Sequence, residues 1–126
     1  LNFLEEQVFS RFESKDVFLF GFSQGALVCY ELLKILDKPI AGLFPISGFI
    51  ADQNKTIKRI HAAQMNTPIV IGHGLNDEVV SFHESELAFN LLKNESTNVI
   101  LEPYKGGHKI GYSYIKKIKG LIDQIH

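Results

Sequence analysis

The sequence has a single cysteine, Cys29, a single methionine, no tryptophan and no excess of either charge. One cysteine permits no disulfide within the chain, which suits a reducing compartment better than a secreted scaffold, so a cytoplasmic location is expected. Lys plus Arg number 13 against 14 Asp plus Glu, a balance that offers no attraction to a phosphate backbone, and no nucleic-acid partner is expected. No apolar run approaches the roughly 20 residues that cross a bilayer, and no basic stretch precedes the apolar residues of Leu1-Asn2-Phe3-Leu4. Neither a signal peptide nor stable membrane insertion is expected. With Leu1 first and Met65 the only methionine, the sequence is expected to continue upstream.

What is present is material for a core. Hydrophobic residues make up 45% of the 126 and charged ones 21%, which excludes the disordered class and suits one domain rather than two. Four short runs rich in β-formers punctuate the chain: Val17–Phe22, Ile40–Ile46, Pro68–Gly72 and Asn98–Tyr104. Continuous apolar runs of this length predict strands buried on both faces. Between them, Ala26, Leu27, Tyr30, Leu33 and Leu36 fall at helical steps, as do Leu87, Leu91 and Leu92. Ser81-Phe82-His83-Glu84 has the form of a capping box and predicts a helix start near residue 82. Ile115, Ile118, Leu121, Ile122 and Ile125 predict a last helix over Tyr114–Ile125, and Leu1, Leu4, Val8 and Phe12 predict an opening one over Leu1–Phe12. Asn54–Gln64 also looks helical. The order predicts an α/β domain, a parallel sheet of about four strands flanked by about five helices, with right-handed crossovers. The strand Val17–Phe22 is too apolar for an edge, so a neighbouring strand is expected beside it.

Gly21-Phe22-Ser23-Gln24-Gly25 falls at the junction of the first strand and its helix, the context in which a G-x-S-x-G string makes a nucleophile elbow. Small residues on either side of the serine are expected there because strand and helix backbones pass close together. The helix that follows would aim its first amides, that of Gln24 in particular, at an oxyanion formed on an attacked carbonyl. A serine hydroxyl needs a base and an orienting acid, and in an elbow of this kind they come later in the chain, acid before histidine. Asp77 follows the third strand, with Glu78 and Asp52 as substitutes, and His108 follows the fourth behind the flexible pair Gly106-Gly107. Among the other histidines, His73 ends a strand, His83 lies in a first helical turn, and His61 and His126 lie in helical stretches, positions that suit structural or exposed roles. The set His73, Asp77, His83 and His108 lacks a tight metal-ligand spacing, so no metal is expected. Cys29 reads as a buried small hydrophobe, and the lysines from Lys105 to Lys119 as a solvated face.

The strings Gly21-Phe22-Ser23-Gln24-Gly25-Ala26, His73-Gly74-Leu75-Asn76-Asp77-Glu78-Val79-Val80 and Gly106-Gly107-His108 resemble the carboxylesterase and phospholipase family of α/β-hydrolases, which includes the acyl-protein thioesterases. The form GFSQGA favours that family over the dienelactone hydrolases. The resemblance implies Ser23 as nucleophile, Asp77 as acid, His108 as general base and the Gln24 amide as one oxyanion donor, with no cofactor. It covers only the second half of such an enzyme, so 1–126 is expected to be a partial α/β-hydrolase domain. The N-terminal strands and the loop carrying the second oxyanion amide would be missing, a loss that costs on the order of a hundredfold in turnover. The expected activity is hydrolysis of carboxylic esters or thioesters through an acyl-enzyme, on a small-molecule acyl ester or an acylated protein. Only about twenty residues, from Ser47 to Thr67, are available for a lid; Phe49 and Ile50 are candidate acyl contacts. The rivals are a half-hydrolase that acts by association, as a homodimer or through an N-terminal segment covering the first strand's edge, and a dienelactone hydrolase-like or peptidase relative.

Overall fold

In the computed structural model, residues 3–51, 60–96 and 98–125 are described. The strands are β1 (Phe18–Phe22), β2 (Gly42–Ile46), β3 (Ile69–Gly74) and β4 (Val99–Tyr104). They pair in parallel in the order β1-β2-β3-β4. Three α-helices connect and follow them: α1 (Gln24–Ile35), α2 (Phe82–Leu92) and α3 (Tyr112–Ile125).

The apolar runs land on the sheet because a parallel strand covered by helices on both sides has no polar face to show. β2 and β3 are buried at every residue. On one side of the sheet, Ala26, Cys29, Tyr30 and Leu33 of α1 and Ala88 and Leu92 of α2 pack with Leu43, Ile69 and Ile71. On the other side, Tyr114 and Ile118 of α3 cover Phe44, Ile46 and Val70, and the Tyr114 hydroxyl donates to the Val70 carbonyl at 2.6 Å. Pro45 removes one donor from the middle of the sheet, and the β2–β3 register passes directly from Leu43 opposite Ile69 to Ile46 opposite Gly72. The Ser81 hydroxyl accepts the His83 amide and starts α2 at Phe82.

Several expectations fail for physical reasons. The opening periodicity yields only a five-residue π-type turn, Leu4–Val8, with Leu4 buried and Phe12 61% exposed; Leu1 lies outside the described residues. Of Asn54–Gln64, residues 54–59 lie outside them too, and Ala62–Gln64 forms a single 3-10 turn. The described residues hold three α-helices and three short turns, and part of the opening stretch and of Asn54–Gln64 lies outside them. β1, predicted to be buried on both faces, carries Phe20 55% exposed; as the outer strand of the sheet among the described residues, it leaves room for the neighbour expected from elsewhere. Ile115, placed by periodicity on the buried stripe of α3, is 45% exposed on the same side.

Candidate active site

The loops that follow β1, β3 and β4 meet at the carboxyl edge of the sheet, where doubly wound folds build their sites. Ser23 is the residue between β1 and α1, and its backbone is forced to φ 57°, ψ −111°, a region a non-glycine residue adopts only under constraint. The constraint is visible: the Ser23 amide donates to the Ile46 carbonyl at 2.8 Å, and the Ser23 carbonyl accepts from Ala26 at 3.0 Å as α1 begins. A Cβ on Gly21 would lie inside contact distance of the Gly25 carbonyl, so this position admits glycine alone. Gly25 is different. A Cβ there would meet nothing, so the close approach rests on Gly21 and the Gly25 main chain, not on both glycines equally.

Asp77 and His108 come from opposite sides of a paired loop. Gly106 adopts φ +143° and lets the β4 loop fold back, where the Gly106 carbonyl accepts the Asn76 amide at 2.9 Å. His108 Nδ1 lies 2.7 Å from Asp77 Oδ2, and His108 Nε2 lies 3.1 Å from Ser23 Oγ. A carboxylate only accepts, so Nδ1 carries the proton and Nε2 is left to accept the Ser23 hydroxyl. Asp77 Oδ1 accepts the Val79 and Val80 amides at 2.8 Å each. Burial alone would raise the Asp77 pKa; the His108 hydrogen bond and the Val80 and Val79 amides outweigh it and hold the carboxyl below its ordinary value. Gln24 opens α1, so its amide has no partner within the helix and borders Ser23.

The other candidates fall elsewhere. Glu78 is exposed, and Asp52 lies outside the described residues, as does His126. His61 Nδ1 accepts the Ala63 amide at 3.0 Å and caps a short turn, while His83 pairs with Glu86 at 3.7 Å on the surface. Among the described residues no three His, Cys, Asp or Glu side chains are arranged to hold a metal ion. Burial pushes the Cys29 thiol up to about 11. Lys105, Lys109, Lys116, Lys117 and Lys119 are exposed. Ile50 is buried in the same core cluster as Leu33 and Ile60, which leaves it no surface for an acyl chain and corrects its selection; Phe49 is half-buried. Two neighbours of Ser23, Asp77 and His108 lie within the quoted motifs, which assign them no place in the site. The Phe22 ring lies 4.8 Å from the His108 ring, and the wholly buried His73 reaches Asp77 Oδ2 at 3.3 Å.

The chain matches the phospholipase/carboxylesterase family over residues 2–126. It belongs to that family. It is 25% identical over 120 residues to the carboxylesterase SOBER1 of Arabidopsis thaliana, covering 94% of this chain and 53% of that protein. It is 31% identical over 96 residues to acyl-protein thioesterase 1 of Candida albicans, covering 73% of this chain and 42% of that one. The solved structure of esterase PE8 superposes with a TM-score of 0.84 at 26% identity, covering 99% of this chain and 58% of that one. The α/β-hydrolase fold is therefore shared, and the chain spans about half the length of the curated relatives it matches. Among the described residues no helix is long and apolar enough to cross a membrane.

Proposed function

We propose that this family member contributes nucleophile, base and acid to a serine hydrolase that cleaves carboxylic esters or thioesters through an acyl-enzyme. The supporting observation is the continuous chain from Ser23 Oγ to His108 at 3.1 Å and on to Asp77 at 2.7 Å. In the proposed reaction His108 Nε2 takes the Ser23 proton as Oγ attacks the acyl carbon, and the Gln24 amide and the α1 N-terminus meet the oxyanion. His108 then gives that proton to the departing alcohol or thiol. Water, deprotonated by the same nitrogen, releases the acid and restores Ser23. Asp77 holds the imidazole and balances its charge while it is protonated.

Small-molecule acyl esters and acylated proteins are the proposed substrates, in keeping with relatives named carboxylesterase and acyl-protein thioesterase, and the cytoplasm is the proposed location. Phe49 is the proposed acyl contact; Phe49→Ala should lose selectivity between short and long acyl chains. We also propose that the outer edge of β1 is covered by a strand from outside residues 1–126, which would bring the second oxyanion donor. What favours this is Phe20, a large apolar side chain 55% exposed on a strand whose outer edge has no partner strand among the described residues.

Intact mass after fluorophosphonate treatment tests the core of the proposal. One adduct, lost in Ser23→Ala, is expected; an adduct that survives Ser23→Ala, or none on a folded chain, refutes the assignment. Acyl thioesters, lactones and peptides tested side by side then discriminate thioesterase from dienelactone hydrolase and peptidase. Solution mass separates an edge paired with a second copy from one awaiting another segment.

A further inference from the structure

The Asp77 carboxylate is held by more groups than a catalytic triad requires. Oδ1 is saturated by two amides, while Oδ2, the oxygen that faces His108, also lies 3.3 Å from His73 Nε2. His73 is wholly buried near the end of β3. The Val80 carbonyl, 2.7 Å from His73 Nε2, can only accept, so that nitrogen carries the proton and donates it there, while the Val80 amide donates to Asp77 Oδ1 at 2.8 Å. His73 Nδ1 is left to accept the hydroxyl of Ser85, a wholly buried residue of α2, at 2.5 Å. The Phe82 ring stands edge-on at 5.8 Å and closes the remaining side. Packing alone would need a side chain of this bulk; it would not need a ring nitrogen that holds the carbonyl of the residue whose amide holds Asp77.

The geometry points to His73 as a positioning residue for the acid: its Nε2–H, the tautomer set by Ser85, anchors the Val80 carbonyl, and the Val79 and Val80 amides held in this way pin the Asp77 carboxylate that orients His108. This rests on the roles proposed above for Ser23, His108 and Asp77. When the Ser23 proton moves to His108, Oδ2 faces an imidazolium, and a carboxylate already held through Oδ1 stays in line with no reorganisation. Without the donor, the Val80 carbonyl loses its partner and the segment that carries the two amides on Oδ1 is freed. The carboxylate then gains freedom to turn, and His108 follows it away from Ser23 Oγ.

Three variants test this. His73→Leu removes the donor at similar bulk, His73→Gln offers an amide N–H near the Nε2 position, and Ser85→Ala removes only the hydroxyl that sets the tautomer. The rate of fluorophosphonate labelling at Ser23 is expected to fall about tenfold or more in His73→Leu, in the range seen for groups that orient a site's primary residues. His73→Gln should recover most of it, and Ser85→Ala should lose a smaller factor. With an activated ester the loss should lie in kcat with KM unchanged, because His73 touches no substrate. A second readout needs no turnover: the low-field proton resonance of His108 Nδ1–H should move in His73→Leu and return in His73→Gln. A folded His73→Leu with wild-type labelling and an unmoved resonance overturns the inference. Should His73→Leu fail to fold by circular dichroism, Ser85→Ala decides, and wild-type rate and resonance there overturn it equally. Failure of the hydrolase proposal looks different: the wild-type chain itself acquires no adduct, whereas the resonance still reports whether His73 holds Asp77.

Discussion

The acid side and the nucleophile side of the candidate site are built in opposite ways. Asp77 sits beyond β3, a strand buried at every residue, with its carboxylate enclosed by two amides and two imidazoles. Ser23 sits beyond β1, the outer strand, with Phe20 and Phe22 exposed and a backbone bent into a sparsely populated region. Order on the first side comes from hydrogen bonds that satisfy buried groups; on the second it comes from sterics, a glycine where no side chain fits. Among the described residues, Asp77 and His108 are thus enclosed while the flank of the sheet beside Ser23 is open. Activity and stability should respond differently on the two sides.

The largest expected effect is on the acid side. Asp77→Asn keeps the shape, but its amide can no longer hold Nδ1–H in the required tautomer, so kcat is expected to fall about ten-thousand-fold with KM little changed. Steady-state hydrolysis of an activated ester measures it; a loss below about tenfold would assign the acid's role elsewhere. The same carboxyl carries a pH signature. Its folded-state pKa is held below the unfolded value of about 3.9, so its stabilisation is fully present above that value and drains away as pH falls through the folded one. The difference in Tm between wild type and Asp77→Asn should fall as pH drops below about 4, as thermal melts across that range would show.

The nucleophile side should yield the next largest effect, and in stability. Gly21→Ala places a methyl against the Gly25 carbonyl and the Cys29 sulfur; backbone cannot step aside, and overpacking of this kind costs about 1–3 kcal/mol. Gly25→Ala meets open space and should stay within about 0.5 kcal/mol of wild type. Denaturant midpoints of the two variants compare them directly. Equal losses would mean that the elbow tolerates neither glycine's replacement and that its strain is spread along the turn.

How much of this was legible in the residues follows the same divide. The strands announced themselves because parallel central strands are apolar on both faces, and Ser81 announced α2 because the first amides of a helix lack partners within it and a serine hydroxyl satisfies one. Ser23, Asp77 and His108 were legible because their order and the strand ends they follow are set by chain connectivity. Periodicity reports a face and cannot report what lies opposite it, so Phe12 and Ile115 were assigned to buried stripes and emerged exposed, and Ile50 was assigned to the substrate and emerged in the core. His73 was passed over as structural. Its approach to Asp77 depends on how the chain turns after Gly74 and on Ser85 arriving from α2, and neither is written in the spacing of the motif.

The smallest expected effect sharpens the open flank of β1. Phe20 is more than half exposed and keeps one aromatic contact, 4.9 Å to Phe44. Replacing a ring that is mostly in water forfeits only a fraction of the roughly 1.5–3 kcal/mol a fully buried one contributes. Phe20→Ser should therefore cost less than about 1 kcal/mol in denaturant unfolding, while light scattering should show less self-association, since an apolar side chain beside unpaired strand amides invites another edge. A loss of several kcal/mol would instead mark Phe20 as part of the core, and the contrast between an enclosed acid side and an open nucleophile side would then fail at the strand that carries Ser23.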